Sequence, residues 1–307
     1  MPRILAPAAA GLLVFLCAIW GGGQVAIKIG NEGVSPLLQA GLRSAGAALL
    51  LWGWSAARGV PLARRDGSLG YGAVIAALFA GEFVFIYWGF TYTTASRGVL
   101  FIYGAPFVVA IGAHFVLPGE RLGGPKVAGL MCAFAGLAVA FADGLRLPTR
   151  RELVGDTLEL VGAILWGATT LVIKASRRSV SPHKTLFYQL AGSAVALLAL
   201  SYLLGETGVI RATPRVLLAL AYQTVVIAFA SYLAWFWLLA RYPASHMAAF
   251  TFWTPIFGLL AGWLLLAEPV TPWLVVAILL VAAGIYLVNR APTGAVPSLA
   301  TGDGGRT

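Results

Sequence analysis

Residues 19–36 read IWGGGQVAIKIGNEGVSP, and residues 165–182 read LWGATTLVIKASRRSVSP. Each stretch has a Trp-Gly pair, then an Ile-Lys pair, then a Ser-Pro pair, and the two are offset by about 146 residues. An offset of this size in a chain of 307 residues indicates an internal duplication. The sequence therefore predicts two similar halves, residues 1–146 and 147–290, and a disordered tail at residues 291–307.

The composition is that of a membrane protein. Hydrophobic residues make up 60% of the chain and charged residues 10%, against roughly a quarter in soluble domains. A helix that crosses a bilayer needs about 20 mostly apolar residues. Ten runs meet this requirement, at about 8–29, 36–57, 69–92, 97–117, 125–142, 157–175, 185–204, 215–240, 245–266 and 272–289. The predicted fold class is an all-α membrane protein with ten transmembrane helices.

The duplication continues beyond its opening stretch. Ser96 and Pro106 correspond to Ser245 and Pro255, and Glu120 corresponds to a second glutamate at position 268. Five spans in each half is an odd number, so the second half enters the membrane in the opposite orientation. The prediction is thus two inverted five-helix repeats, an arrangement that permits alternating access to a substrate near the midplane.

The basic residues predict the orientation of the chain. The net charge is +10, but Lys and Arg are spread over the loops and form no single patch, so a nucleic-acid partner is not expected. With a cytoplasmic N-terminus, thirteen of them fall in inner segments and seven in outer ones. This bias favours two cytoplasmic termini and a first helix that is retained.

No catalytic chemistry is evident in the sequence. It has no Gly-rich phosphate loop, no Cys/His pairs at metal-ligand spacing and no nucleophile beside a base, so no enzyme activity, metal or cofactor is expected. The missing phosphate loop also argues against direct drive by ATP. Cys17 and Cys132 both fall inside apolar spans, so they are expected to pack rather than form a disulfide.

A polar stripe recurs at helical spacing in the two halves. It consists of Trp20, Gln24 and Lys28 in the first half and of Trp166, Thr170 and Lys174 in the second. The indoles are expected to face a cavity, with packing between helices as the alternative, and the lysines to extend toward lipid headgroups. Gly21 and Gly167, beside the indoles, are expected to allow a close approach of neighbouring helices.

Glu82 is the most informative single residue, because it lies near the centre of the third span. An ionised carboxylate at mid-bilayer costs at least about 2.5 kcal/mol, so Glu82 must be protonated, paired or in contact with water. Two interpretations stay open: it binds a substrate ammonium group or a coupling proton, or it is a protonated structural acid. Arg43 in the second span is expected to pair with a carbonyl or an acid and hold helices together.

Aromatic residues are concentrated in the third, fourth, eighth and ninth spans. They offer apolar area and π faces for an ammonium group, and Pro106 and Pro255 predict kinks beside them. The complete set of predicted substrate-binding residues is Trp20, Gln24, Glu82, Tyr87, Tyr103, Trp166, Thr170, Tyr232, Trp235, His246, Phe250 and Trp253.

The pattern of these motifs resembles a known family. Three parts of the sequence resemble the EamA module of the drug/metabolite transporter superfamily. They are the Trp-Gly pair near the end of the first helix, the run Leu38-Gln39-Ala40-Gly41-Leu42-Arg43, and the series from Ala95-Ser96 to Gly119-Glu120. The second copy of this series runs from Ala244-Ser245 to Glu268-Pro269. The resemblance implies a ten-helix exporter of small metabolites in the bacterial inner membrane, and the aromatic residues are most similar to those of its YddG-type amino-acid exporters.

The leading hypothesis is a secondary transporter that exports amino acids or related amphipathic metabolites, with the lipid bilayer and a small molecule as its partners. The alternative is a lipid-handling or accessory intramembrane protein whose aromatic cavity holds an acyl chain. A phosphorylated sugar would require several convergent cations, and Arg43 alone lies deep. Both a monomer and a homodimer are compatible with the sequence.

Overall fold

A computed structural model describes residues 5–62, 67–145, 147–176, 180–266 and 272–290. Within these ranges the chain is helical, apart from loops and one isolated antiparallel bridge between Val34 and Val209. The helices are α1 (Pro7–Gly30), α2 (Pro36–Ala57), α3 (Leu69–Tyr92), α4 (Ala95–Ile102), α5 (Ala105–Val116), α6 (Gly124–Ala140), α7 (Arg150–Ser176), α8 (Pro182–Leu203), α9 (Pro214–Ala221), α10 (Tyr232–Leu239), α11 (Ala244–Phe250), α12 (Trp253–Leu266) and α13 (Trp273–Arg290). A 3₁₀ turn, Ala142–Gly144, follows α6, and a π-helical segment, Tyr222–Ser231, joins α9 to α10.

Eight helical segments of the described chain are long and apolar enough to cross a membrane. They are Pro7–Gly30, Leu69–Tyr92, Arg97–Val116, Arg150–Ser176, Pro182–Leu203, Pro214–Leu239, Ala244–Leu265 and Trp273–Arg290. The other two predicted spans coincide with α2 and α6. Helix α6 is apolar but has only 17 residues. Helix α2 has 22 residues, and Gln39, Arg43 and Ser44 lower its hydropathy. All-helical architecture is therefore confirmed, with eight spans by length and composition where the sequence predicted ten.

Two of the spans are broken near a proline, as the sequence predicted. Helix α4 ends at Ile102, four residues before Pro106, and α11 ends at Phe250, five residues before Pro255. A proline cannot donate a backbone hydrogen bond, and its ring clashes with the carbonyl four residues earlier. The backbone therefore leaves the α-helical path just before each proline and resumes it as α5 or α12.

Helices of the first half pack mainly against helices of the second half. Helix α2 packs on α8, and α6 packs on α13. Helix α1 packs on α12 and on the segment from α9 to α10, while α7 packs on α4 and α5 and on α3. The core thus lies between the halves, and each half supplies part of every wall around it.

The glycines beside the two indoles allow the close approach expected of them. A Cβ atom added to Gly21 would lie 2.7 Å from the backbone of Phe257 and Gly258 in α12. A Cβ atom added to Gly167 would lie 2.5 Å from the Val108 side chain in α5. A larger residue at either position would therefore push the two helices apart.

Candidate functional site

A cavity of about 490 Å³ lies between the two halves. Helices α1, α3, α4, α7 and α10 contribute most of its wall, and α2 and α8 each add a polar residue. Its surface is largely apolar and aromatic. Eight of the twelve predicted site residues line it: Trp20, Glu82, Tyr87, Tyr103, Trp166, Thr170, Tyr232 and Trp235.

The other four predicted residues are not part of the described lining. The side chain of Gln24 lies outside the described part of the structure. His246 is buried next to the charges of Glu120 and Lys126, where α11 meets the loop before α6. Phe250 is buried in the core, and Trp253 packs on Phe257 with ring centroids 5.8 Å apart. His246, Phe250 and Trp253 are therefore not part of the cavity wall.

Trp20 is fixed by contacts with the second half of the chain. Its indole N–H donates a hydrogen bond to the Ser231 hydroxyl at 2.7 Å. Its ring meets Trp235 edge to face at 5.2 Å and Tyr232 at 6.4 Å between centroids. Because the indole N–H is already bonded, Trp20 presents its aromatic face to the cavity.

Trp166 lines the same cavity from α7. It meets Tyr103 edge to face, with ring centroids 5.6 Å apart. Thr170 is also part of the lining, but its hydroxyl donates to the Trp166 carbonyl oxygen at 3.1 Å. That hydroxyl therefore satisfies its own helix first, which leaves the aromatic rings as the main surface that α7 offers.

Helix α3 adds an aromatic stripe of which only Tyr87 was predicted from the sequence. Phe79, Phe83 and Tyr87 follow one another at intervals of four residues and all line the cavity. The centroid of the Phe83 ring is 4.9 Å from that of Phe79 and 6.3 Å from that of Tyr87. This spacing was visible in the sequence, but in an apolar span the same pattern also fits packing against a neighbouring helix.

Besides three threonines and Asn31, the wall contains three long polar side chains: Arg43 from α2, Glu82 from α3 and Gln189 from α8. All three are buried. The Arg43 guanidinium stands 4.5 Å from the centroid of the Phe83 ring and interacts electrostatically with Glu82. We therefore place Arg43 in the cavity wall, whereas the sequence suggested a structural contact between helices.

The cavity reaches the surface at one end of the molecule. Its lining includes Asn31 at the end of α1 and Phe90 near the end of α3, and both side chains are exposed. The bridge between Val34 and Val209 belongs to this end, which we call the Asn31 end. The cavity is therefore open toward the Asn31 end.

The opposite end, reached by α10 and α11, is closed by polar contacts; we call it the Tyr242 end. The segment Pro214–Leu239, which has 26 residues, runs from the Asn31 end to the Tyr242 end. Here the Glu120 carboxylate accepts hydrogen bonds from the backbone N–H groups of Ala244 and Ser245 at 2.7 and 2.9 Å. Lys126 Nζ donates to Ser245 Oγ at 3.1 Å. These bonds tie the loop before α6 to the N-terminus of α11.

Lys174 strengthens the same closed end. Its Nζ donates to the carbonyl oxygens of Leu239, the last residue of α10, and of Tyr242, three residues further on. The expected extension toward headgroups is wrong for this lysine, because burial and two carbonyl acceptors hold it inside the protein. Lys28, its counterpart in α1, is exposed.

Both cysteines are free thiols that pack inside the bundle, as expected. Cys17 Sγ donates to the carbonyl oxygen of Phe250 at 3.3 Å, and Cys132 Sγ donates to that of Leu280 at 3.4 Å. Among the described residues no group of three or more His, Cys, Asp or Glu side chains is arranged to hold a metal ion.

Comparison with known proteins gives two matches to the EamA-like transporter family, at residues 8–142 and 153–290. The "Uncharacterized transporter YoaV" of Bacillus subtilis is 25% identical over 276 residues, covering 90% of this chain and 94% of that protein. The "Probable amino-acid metabolite efflux pump" of Escherichia coli is 28% identical over 285 residues, covering 90% and 93%. The "Uncharacterized protein PA1977" of Pseudomonas aeruginosa is 32% identical over 217 residues, covering 69% and 71%.

A solved structure titled "Crystal structure of protein" superposes with a TM-score of 0.79 over 92% of this chain and 96% of that chain. Its sequence identity of 18% supports a shared fold alone. The family and the names of the relatives indicate a multi-pass membrane transporter rather than an enzyme. Since the family matches extend over both halves, this chain belongs to the EamA-like transporter family.

Proposed function

We propose that this protein is a secondary transporter that exports amino acids or related small amphipathic metabolites across the bacterial inner membrane. The observation that carries the proposal is the cavity between the halves, which is open at the Asn31 end and bounded by polar contacts at the Tyr242 end. Its volume of about 490 Å³ suits a ligand of amino-acid size, and its rings suit an amphipathic side chain. Relatives in two bacteria carry the name amino-acid metabolite efflux pump.

Alternating access is part of the proposal. The two halves, residues 1–146 and 147–290, act as inverted repeats, and the packing of α1 on α12 has its counterpart in that of α7 on α5. With both termini in the cytoplasm, the Asn31 end faces outward, so the cavity corresponds to an outward-open state. Export then requires a second state in which the contacts of Glu120 and Lys174 open.

Within this proposal the YddG-type exporters are the nearest functional parallel, because the cavity wall is dominated by aromatic side chains. Neutral amino acids with apolar or aromatic side chains are therefore the expected substrates. A homodimer is also part of the proposal. Light scattering, which measures the mass of the purified protein in detergent, would test it.

The test is uptake of radiolabelled threonine, methionine and phenylalanine into proteoliposomes that contain the purified protein. Trp166→Ala is expected to reduce saturable uptake, because it removes an indole from the cavity wall. Trp52→Ala is the matched control, since that indole is 59% exposed and lies outside the lining. Absence of uptake for all three amino acids, together with binding of labelled lipid, would favour the lipid-handling alternative.

A further inference from the structure

Among the buried polar atoms of the cavity wall that have no hydrogen-bond partner in the described structure, four belong to long polar side chains. They are Nε and Nη2 of Arg43, Oε2 of Glu82 and Oε1 of Gln189. All three residues line the cavity. Burial of a polar atom without a partner costs free energy, and burial of a charge costs more. A ligand in the cavity that formed hydrogen bonds with these atoms would reduce that cost.

The three side chains belong to three different helices that meet at the cavity. The Phe83 ring lies against the Arg43 guanidinium and restricts where that group can move. Tyr87 and Tyr232 also line the cavity, so their rings belong to the same wall as Arg43. No hydrogen bond joins Arg43 to Glu82 in the described structure, so both keep bonding capacity for a ligand.

The duplication places these residues at related positions with different chemistry. Arg43 and Gln189 are separated by 146 residues, the same offset that relates Trp20 to Trp166. Glu82 aligns with Ser231, whose hydroxyl is already bonded to Trp20. The positive and negative charges therefore both come from the first half of the chain, while the second half supplies neutral groups. Although the two halves are similar in sequence, only the first half therefore contributes Arg43 and Glu82 to the cavity wall.

We propose that Arg43 binds the α-carboxylate and Glu82 the α-ammonium group of a zwitterionic amino acid. This inference depends on the proposed function. Arg43 Nε and Nη2 can donate two parallel hydrogen bonds to a carboxylate, a strong and oriented contact. Glu82, with Gln189 Oε1 beside the same cavity, supplies acceptors for an ammonium group. The ligand's side chain then lies against the aromatic wall that includes Phe79, Trp20 and Trp235.

This arrangement makes a clear prediction about charge. A zwitterion satisfies both charged residues at once, whereas an amine lacks the partner for Arg43 and a carboxylic acid lacks the partner for Glu82. A site whose buried polar groups are left unpaired by an analogue rejects that analogue strongly. Recognition therefore depends on the two charges together and only secondarily on the side chain.

The experiment uses the full-length protein in proteoliposomes. Phenylalanine, methionine and threonine are each tested beside the corresponding decarboxylated amine and deaminated acid, as inhibitors of labelled amino-acid uptake. For the wild type we expect each amine and each acid to bind at least about tenfold more weakly than the parent amino acid. Arg43→Gln is expected to remove the discrimination against the amine, and Glu82→Gln that against the acid.

Direct binding gives a second measurement that does not require transport. Trp20, Trp166 and Trp235 line the cavity, so quenching of tryptophan fluorescence in detergent reports occupancy by methionine or threonine and their analogues. It also reveals a variant that folds and binds but no longer completes the transport cycle. Thr157→Val is the matched control, because this exposed threonine of α7 lies outside the cavity lining and its hydroxyl donates to the Leu153 carbonyl oxygen at 2.8 Å.

The outcomes separate this inference from the proposed function. If the wild type neither transports nor binds any of the three amino acids, the proposed function fails, and this inference fails with it. If the wild type handles amino acids but the amines and acids compete equally well, the inference alone is overturned. The same holds if Arg43→Gln and Glu82→Gln each change inhibition by the amine and by the acid by the same factor as Thr157→Val.

Discussion

Arg97 and Asp156 form a buried ion pair near the Asn31 end, in contrast to Arg43 and Glu82 in the cavity. Arg97 Nε donates to both carboxylate oxygens of Asp156, at 3.2 and 3.3 Å, and the Thr93 hydroxyl donates to the same carboxylate. The pair joins α4 to α7. Charges that serve the fold are therefore paired here, whereas those that line the cavity keep free bonding capacity.

Replacement of Arg97 by Gln is expected to be strongly destabilising. It would leave the Asp156 carboxylate buried without its cation, and loss of one member of a buried pair costs about 3–5 kcal/mol. Denaturation in mixed detergent micelles measures the free energy of unfolding. Arg151→Gln is the control, because Arg151 is exposed, and a change within about 0.5 kcal/mol is expected there. Equal effects of the two variants would contradict the structural role of the ion pair.

Glu206 links the loop after α8 to the start of α2. Its carboxylate accepts hydrogen bonds from the hydroxyls of Ser201 and Ser35 at 2.7 and 3.0 Å, and from the N–H groups of Leu37 and Leu38 at 3.0 and 2.9 Å. Partial burial by itself raises the pKa of Glu206, but these hydrogen bonds outweigh it, and the pKa lies below its ordinary value.

A lowered pKa in the folded state means that ionised Glu206 stabilises the protein above the unfolded-state pKa of about 4.3. This stabilisation is lost as the pH falls through the lowered folded-state pKa. We therefore expect Glu206→Gln to lower the unfolding temperature in detergent at neutral pH, with a difference from wild type that narrows below about pH 4. Exposed Glu32, replaced by Gln, is the control. A difference of the same size at pH 7 and pH 3.5 would refute the assignment.

The site could be predicted from the sequence only where a residue's chemistry was unusual for its surroundings. Glu82 and the Trp20–Trp166 pair were identified because a carboxylate in mid-span and a repeated indole are uncommon. Arg43 and Gln189 were missed as site residues, although their offset matches the duplication. A buried guanidinium can contact a carbonyl, contact an acid or line a cavity. The packing of the neighbouring helices decides which, and the sequence of a single span does not reveal that packing.

At the scale of helices, two breaks lie beside prolines and were predicted, and a third irregular segment, which was not predicted, lies where side chains contact neighbouring helices. The π-helical segment Tyr222–Ser231 contains no proline. The Tyr222 hydroxyl donates to the Ile19 carbonyl oxygen at 2.9 Å, and Gln223 Nε2 donates to the Gln39 side chain at 2.6 Å. These bonds hold the segment against α1 and α2, which local sequence alone does not encode.

The contact between Glu120 and α11 is expected to control access at the Tyr242 end. Glu120→Ala removes the acceptor for the N–H groups of Ala244 and Ser245, so α11 should separate more readily from the loop before α6. A cysteine introduced at Ile173, which lines the cavity and is buried, reports the opening. Its labelling by a membrane-impermeant maleimide from the Tyr242 end should become faster.

Glu206→Ala provides the control for this experiment. Glu206 also binds the N-terminus of a helix, but it does so at the Asn31 end. Glu206→Ala is therefore expected to leave labelling of the cysteine at position 173 from the Tyr242 end unchanged. If Glu120→Ala did not accelerate labelling of the cysteine at position 173, the Glu120 contact would not limit access at this end.

At the scale of the whole molecule, the contacts between helices follow the duplication. A Cβ atom added to Gly136 in α6 would lie 2.9 Å from the Ala277 carbonyl oxygen in α13, and one added to Gly284 in α13 would lie 2.5 Å from the Gly129 carbonyl oxygen in α6. Gly136 and Gly284 are equivalent positions in the two halves. This reciprocal packing is the contact pattern expected if the halves are related by a two-fold axis.

The orientation of the molecule in the membrane is the property on which the direction of transport depends. Both termini are predicted to be cytoplasmic, which places the Asn31 end outside and the Tyr242 end inside. In a variant with Cys17 and Cys132 replaced by Ala, a cysteine at exposed position Glu32 should therefore react with an impermeant maleimide in intact cells. A cysteine at exposed position Arg121, near the Tyr242 end, should react only after the cells are permeabilised. The opposite labelling pattern would place the open end of the cavity in the cytoplasm, and the state described here would then be the one that loads substrate for export.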